Sequence, residues 1–197
     1  MNGAADRGRL VYLVGPSGAG KDSLLAWVRA QRPAGVRIAP RAVTRATGGG
    51  TDFAVSEARF AALLARGAFA LHWRANGLAY GVPRAIERWL AAGLTVVVNG
   101  SRAHLAEARL RFPALEAVHV TAPKLLLARR LAQRAREPQG EIVRRLARNE
   151  DAFAAVPEAA LTIVNDGPLA HAGRQLLEFV EPRPVPVRER ALPSRNL

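Results

Sequence analysis

No segment constrains this chain more than Gly15-Pro16-Ser17-Gly18-Ala19-Gly20-Lys21. It follows a compact apolar run at residues 9–14 that reads as a buried strand. It precedes Leu24, Leu25 and Val28, which recur at helical spacing. Its glycines let the backbone curl until successive N–H groups face one centre. The start of a helix behind them adds a positive dipole, and Lys21 adds an ammonium on a long stem. Strand, glycine-rich turn, lysine and helix in that order form a phosphate-binding loop of the G-x-x-x-x-G-K type.

The loop points to ATP, with the backbone of residues 15–20 wrapped on the phosphate chain and Lys21 as the catalytic cation at the β- and γ-phosphates. One position departs from the motif. A Ser or Thr whose hydroxyl ligates Mg²⁺ is expected after the lysine, and Asp22 stands there, followed by Ser23. A carboxylate is a hard-oxygen ligand for Mg²⁺, directly or through water. It can equally cap the first turn of the helix.

Composition sets the outer bounds. The chain has 197 residues, 49% of them hydrophobic, enough for one well-packed core. Its apolar stretches are short and broken, so no membrane span is expected. Residues 1–8 are polar and do not read as a signal peptide. There is no cysteine, which excludes disulfides and thiol chemistry and fits a cytoplasmic protein. Of the 29 basic residues behind the net charge of +13, only Lys21 and Lys124 are lysine. Arginine forks suit phosphate oxygens, but nucleic acid or a merely solvated, arginine-rich surface gives the same charge.

Along the chain, strands and helices alternate, which predicts an α/β fold with a mainly parallel core sheet. Strands are expected at 9–14, 36–39, 94–98, 117–121 and 161–164. Helices are expected at 21–31, 57–66 behind a Ser56 cap, from Pro83 to about Gly93, 101–112, after Pro123, 141–153 and 169–180. Asn76-Gly77 is a strong hairpin signal between strands at 68–73 and 78–81. Residues 45–90 differ in texture from the rest and read as an inserted lobe. From 181 onward Pro, Arg and Glu dominate, which predicts a flexible tail.

Residues 15–25 (GPSGAGKDSLL) and much of the chain from about residue 10 to 180 resemble the guanylate-kinase branch of the nucleoside-monophosphate kinases. The resemblance implies a three-layer P-loop kinase domain over 9–180, with an acceptor-binding insertion at 45–90 and an arginine-bearing lid at about 134–145. Arg45 after Thr44 matches the family's acceptor-phosphate arginine, and Tyr80-Gly81 the end of its Tyr-Tyr-Gly acceptor motif. Arg129, Arg130 and Arg134, then Arg144-Arg145, match the lid, which implies catalytic roles for Arg134 and Arg145. Asn165-Asp166 matches the stretch that touches the nucleotide base.

The departures are informative. Where the family reads guanine with a glutamate and a hydroxyl, this chain has Leu71 and Val82, which cannot hydrogen-bond a base edge. The first tyrosine of the motif is Ala79, and the second acceptor arginine has given way to a glycine loop at 48–50. GKDS, HWRANGLAYGV at 72–82 and NGSRAHL at 99–105 are together similar to one subfamily, the ribose 1,5-bisphosphate phosphokinases of phosphonate metabolism. That similarity implies transfer of the γ-phosphoryl group of ATP to the 1-phosphate of a sugar bisphosphate, giving a 1-diphosphate.

Such an acceptor is already ionised, so no general base is needed, and none is evident. It does need a second anion site. Asn99, Gly100, Ser101 and Arg102, where a strand ends and a helix begins, are the candidates, with Arg41, Arg45 and Tyr80 also acceptor-facing. The small-molecule partners expected are ATP with Mg²⁺ and the sugar bisphosphate. No membrane or nucleic-acid partner is expected, and a homodimer is left open. Two alternatives stand beside this reading: a guanylate kinase, and a kinase-like binding module without activity.

Overall fold

A computed structural model describes residues 8–47, 51–134, 156 and 158–182. The predicted helix at 141–153, Arg145, most of the proposed lid and the tail beyond 182 lie outside the described residues, and of Arg134 only the backbone is described. Five strands form the core sheet: β1 (Leu10–Val14), β2 (Val36–Ile38), β7 (Thr95–Asn99), β8 (Glu116–Thr121) and β9 (Leu161–Val164). Their order is β2-β7-β1-β8-β9, and every pairing is parallel.

β1 lies at the centre, buried at all five positions, with Tyr12 level with Val98 on one side and Ala117 on the other. Both sheet faces are covered, so the central strands read as continuous apolar runs without alternation. Val11, Leu13, Val97, Val118, Val120 and Ile163 pack with residues of three helices, α1 (Lys21–Gln31), α5 (Lys124–Arg134) and α6 (Leu169–Val180). Leu10, Tyr12, Val14, Val96, Val98 and Ala117 face the other way, toward α3 (Ala85–Ala91), α4 (Leu105–Arg111) and a second sheet.

That second sheet is β3 (Ala42–Val43), β4 (Phe53–Ala54), β5 (Phe69–Ala75) and β6 (Leu78–Pro83), in the order β4-β3-β6-β5. The β5–β6 hairpin turns at Asn76 (φ 51°) and Gly77 (φ 73°), the turn the Asn-Gly pair predicts. Leu71, Trp73 and Val82 project from it into the Tyr12 side of the core. α2 (Glu57–Ala65) starts where expected, with the Ser56 hydroxyl accepting from the Arg59 N–H at 3.1 Å.

Pro83 closes β6 instead of opening a helix, and α3 begins two residues later. By Pro83 the neighbouring β3 has already ended, so the missing proline N–H costs no ladder bond. The sequence pattern does not predict β3 and β4. At two residues each they are too short to show a period.

Candidate active site

The phosphate-binding loop leaves the C-terminal end of β1 and enters α1. Gly15 has φ 148°, and a Cβ there would run into the Val120 carbonyl of β8, so the turn accepts only glycine. Lys21 folds back along the loop, its Nζ 2.7 Å from the Gly15 carbonyl and 3.1 Å from that of Pro16. Two contacts brace the loop from outside. Asn165, buried just after β9, donates from Nδ2 to the Ala19 carbonyl at 2.8 Å. Arg130 on α5 donates from Nη1 to the Gly18 carbonyl at 3.5 Å. Gly18, Gly20, Ser23, Arg130, Asn165 and Gly167 line an open cleft of about 320 Å³ here. The loop, Ser23, Asn165 and one lid arginine of the sequence reading thus come together.

Asp22 lies in the first turn of α1, whose N-cap position is Gly20 with no side-chain cap bond. The Asp22 carboxylate, 65% exposed, accepts from Asn99 Nδ2 at 2.6 Å and lies 3.7 Å from Arg41 Nη2. Asn99 ends β7, the strand beside β1, so adjacent strand ends bring Asn99 to the start of α1.

Arg41 and Arg45 are organised by a residue that sequence reasoning missed. Asp52, with a side chain only 5% exposed, takes Arg41 Nε at 2.9 Å and Nη2 at 2.7 Å in a bidentate pair, and Arg45 Nη2 at 3.3 Å. Arg41 Nη1 donates to the Asn99 carbonyl at 2.8 Å. Its guanidinium carbon lies 5.2 Å from the Tyr80 ring centroid. Behind Tyr80 the stack continues to Trp73 at 5.4 Å and from Trp73 to His104 at 5.3 Å. Arg41 is therefore a fixed strut between the two sheets, and Arg45, one-third exposed, is the more accessible of the two arginines.

The loop after β7 is shaped by Tyr12. A Cβ on Gly100 would collide with the Tyr12 ring, so only glycine lets the chain pass over it. The Tyr12 hydroxyl accepts from the Ser101 N–H at 3.1 Å and lies 3.2 Å from His104 Nδ1. Burial pushes the Tyr12 pKa up to about 12. The Glu107 carboxylate, 3.3 Å from His104 Nε2, favours the tautomer with its proton on Nε2, which leaves Nδ1 to accept from the Tyr12 hydroxyl. Burial holds the His104 pKa below its ordinary value. Its imidazole is packed against Trp73 and belongs to the scaffold.

Leu71 and Val82 pair across the hairpin and are both buried in the core, so neither position offers a polar group to a base. Asn99 Oδ1, Arg102 Nη1 and His119 Nε2 are buried without a hydrogen-bond partner among the described residues. Asn99 and Arg102 lie at and just beyond the C-terminal end of β7, where open α/β sheets place their ligands, and His119 lies within β8, level with Val14 at the end of β1.

No protein-family model matches the chain. Among curated proteins it is 49% identical over 179 residues to the ribose 1,5-bisphosphate phosphokinase PhnN of Pseudomonas fluorescens, covering 86% of this chain and 93% of that protein. It is 50% identical over 182 residues to the protein of the same name from Azotobacter vinelandii, covering 89% of this chain and 97% of the relative. Among solved structures it is similar to guanylate kinase from Anaplasma phagocytophilum, with a TM-score of 0.64 at 17% identity over 89% of this chain and 85% of that one. The structural likeness establishes a P-loop kinase fold of the guanylate-kinase type. With half the residues shared over nearly the full length of its relatives, the chain belongs to the ribose 1,5-bisphosphate phosphokinase family.

Proposed function

We propose that this protein transfers the γ-phosphoryl group of ATP to the 1-phosphate of ribose 1,5-bisphosphate, giving 5-phosphoribosyl 1-diphosphate and ADP. The bond from the γ-phosphorus to the bridging oxygen of ADP breaks, and one forms to an oxygen of the acceptor's 1-phosphate. That oxygen is already ionised at neutral pH, so the step requires positioning and charge neutralisation but no base. The single observation that carries the reading against a guanylate kinase is the buried Leu71–Val82 pair. A guanine edge brought there would lose its hydrogen bonds.

In this reading the loop amides and Lys21 hold the ATP phosphates, with Asn165 and Arg130 bracing the loop. Arg45, Tyr80 and residues 99–102 face the acceptor, Arg41 supports them through Asp52, and Arg134 and Arg145 act from the lid. The donor set fits Mg²⁺. The Asp22 carboxylate is held by the amide of Asn99, whose Oδ1 has no partner among the described residues, and the Ser23 hydroxyl follows Asp22 in sequence; all three are hard oxygens. Bound there, the ion would neutralise charge on the phosphate oxygens. Among the described residues no helix is long and apolar enough to cross a membrane.

The test is an acceptor assay with ATP and Mg²⁺. Ribose 1,5-bisphosphate should be consumed at least about a hundredfold faster than GMP at equal concentration. Ready phosphorylation of GMP with the sugar bisphosphate ignored would replace this reading with the guanylate-kinase one.

A further inference from the structure

The middle of β8 carries a histidine that has no part in the phosphoryl transfer as proposed. His119 is 4% exposed, and its Nε2 has no hydrogen-bond partner among the described residues. A buried polar atom left unpaired costs free energy unless a ligand or water completes it. The direction of its side chain follows from strand alternation. Val118 and Val120 pack on the face shared with Leu24 and Leu127, whereas Ala117 packs on the opposite face with Tyr12 and Leu105. His119 shares the face of Ala117. It is level with Val14, the last residue before the phosphate-binding loop. That face carries α4, preceded by Arg102, and the second sheet with Arg41 and Tyr80. The cleft at Asn165 and Arg130 belongs to the other face.

Arg102 supplies a second, matching orphan. Its Nη1 is also buried without a partner among the described residues. The histidine's pKa is held below its ordinary value first by burial, then by the positive charges of Arg102 and Lys21. Burial and both cations favour the neutral imidazole, which carries one N–H. A buried guanidinium nitrogen just past β7 and a buried imidazole nitrogen on β8, both without partners among the described residues, can together complement an oxyanion.

We infer that His119 is a binding residue for the acceptor, donating from Nε2 to an oxygen of one of its phosphate groups while Arg102 Nη1 donates to the same group. The inference rests on the proposed reaction and adds a residue to it. An apolar residue in that position would suffice for the core, since its strand neighbours are Ala117, Val118 and Val120. A histidine there serves the ligand.

The experiment compares H119L, H119Q and the unmodified enzyme in steady-state kinetics with ribose 1,5-bisphosphate and ATP, melting temperatures being recorded alongside. Leucine keeps the packing and removes the donor; glutamine restores an N–H close to where Nε2 was. H119L should raise the Michaelis constant for the bisphosphate about tenfold or more and leave that for ATP within about twofold. H119Q should recover most of the loss. Should H119L not fold, H119Q against H119N makes the same comparison, asparagine being too short to reach the Nε2 position. An active enzyme whose acceptor constant is unchanged by these substitutions, or whose ATP constant rises equally, overturns the inference alone. An unmodified protein that ignores the bisphosphate overturns the proposed reaction and this inference together.

Discussion

Lys21 and Asp22 are adjacent in sequence but answer to different partners, and their substitutions should separate. Lys21 Nζ lies on the carbonyls of Gly15 and Pro16, a resting position from which it can swing to a γ-phosphate. Lys21→Ala should leave the melting temperature nearly unchanged and lower kcat by on the order of a hundredfold, because the migrating phosphoryl loses its main protein cation. Near-normal turnover would remove the lysine from the chemistry. Asp22→Asn should right-shift the Mg²⁺ titration of activity and spare ATP binding measured without metal. An Mg²⁺ titration that does not move would limit Asp22 to aligning Asn99. The loop was legible in the sequence because its chemistry is local: glycines, a lysine and their flanks suffice. His119 was not, because a histidine inside an apolar strand announces itself only once the fold leaves its Nε2 buried and without a partner among the described residues. Asp22 stands between these cases. The sequence exposes its oddity, but only the approach of Asn99 to 2.6 Å separates it from a helix cap.

Between elements, legibility follows length. β7 and α6 declare themselves through runs of five and twelve residues, whereas β3 exists because β6 offers it a partner edge, and β4 because β3 does. Asp52 was missed for the same reason. Its role arises when the short β3–β4 pairing, assisted by the Phe53 N–H on the Arg41 carbonyl at 2.9 Å, sets its carboxylate against Arg41. The Arg41–Asp52 pair is buried on both sides, at 9% and 5% exposure, so removing one partner strands the other. Asp52→Ala should cost about 3–5 kcal/mol in urea denaturation and weaken acceptor binding by loosening Arg45. The Arg74–Glu57 pair, at 70% and 58% exposure, has the same kind of contact in water. Arg74→Ala should change stability by no more than about 1 kcal/mol. If the two substitutions cost the same, burial is not what gives the Asp52 latch its strength.

Over the whole molecule, two buried histidines tie stability to pH. His104 and His119 are both buried, and burial is the largest cause lowering each pKa. Glu107 works against that lowering at His104, while the nearby His72 adds to it. At His119, Arg102 and Lys21 reinforce it. With the folded-state values below the ordinary 6.5, the unfolded chain binds these protons first as pH falls. The stability these groups contribute is therefore fully present above about pH 6.5 and is lost progressively as pH falls through that value toward the depressed folded ones. The melting temperature should drop between pH 7.5 and pH 5.5, ahead of the range in which carboxylates titrate. H119Q, which cannot titrate, should flatten part of that drop. Saturating ribose 1,5-bisphosphate should flatten it further in the unmodified protein, because a bound phosphate turns the field at His119 from opposing to favouring a proton. Differential scanning fluorimetry across that pH range, with and without the bisphosphate, measures all three curves. A melting temperature independent of pH over this interval would mean that neither imidazole is held neutral by the fold.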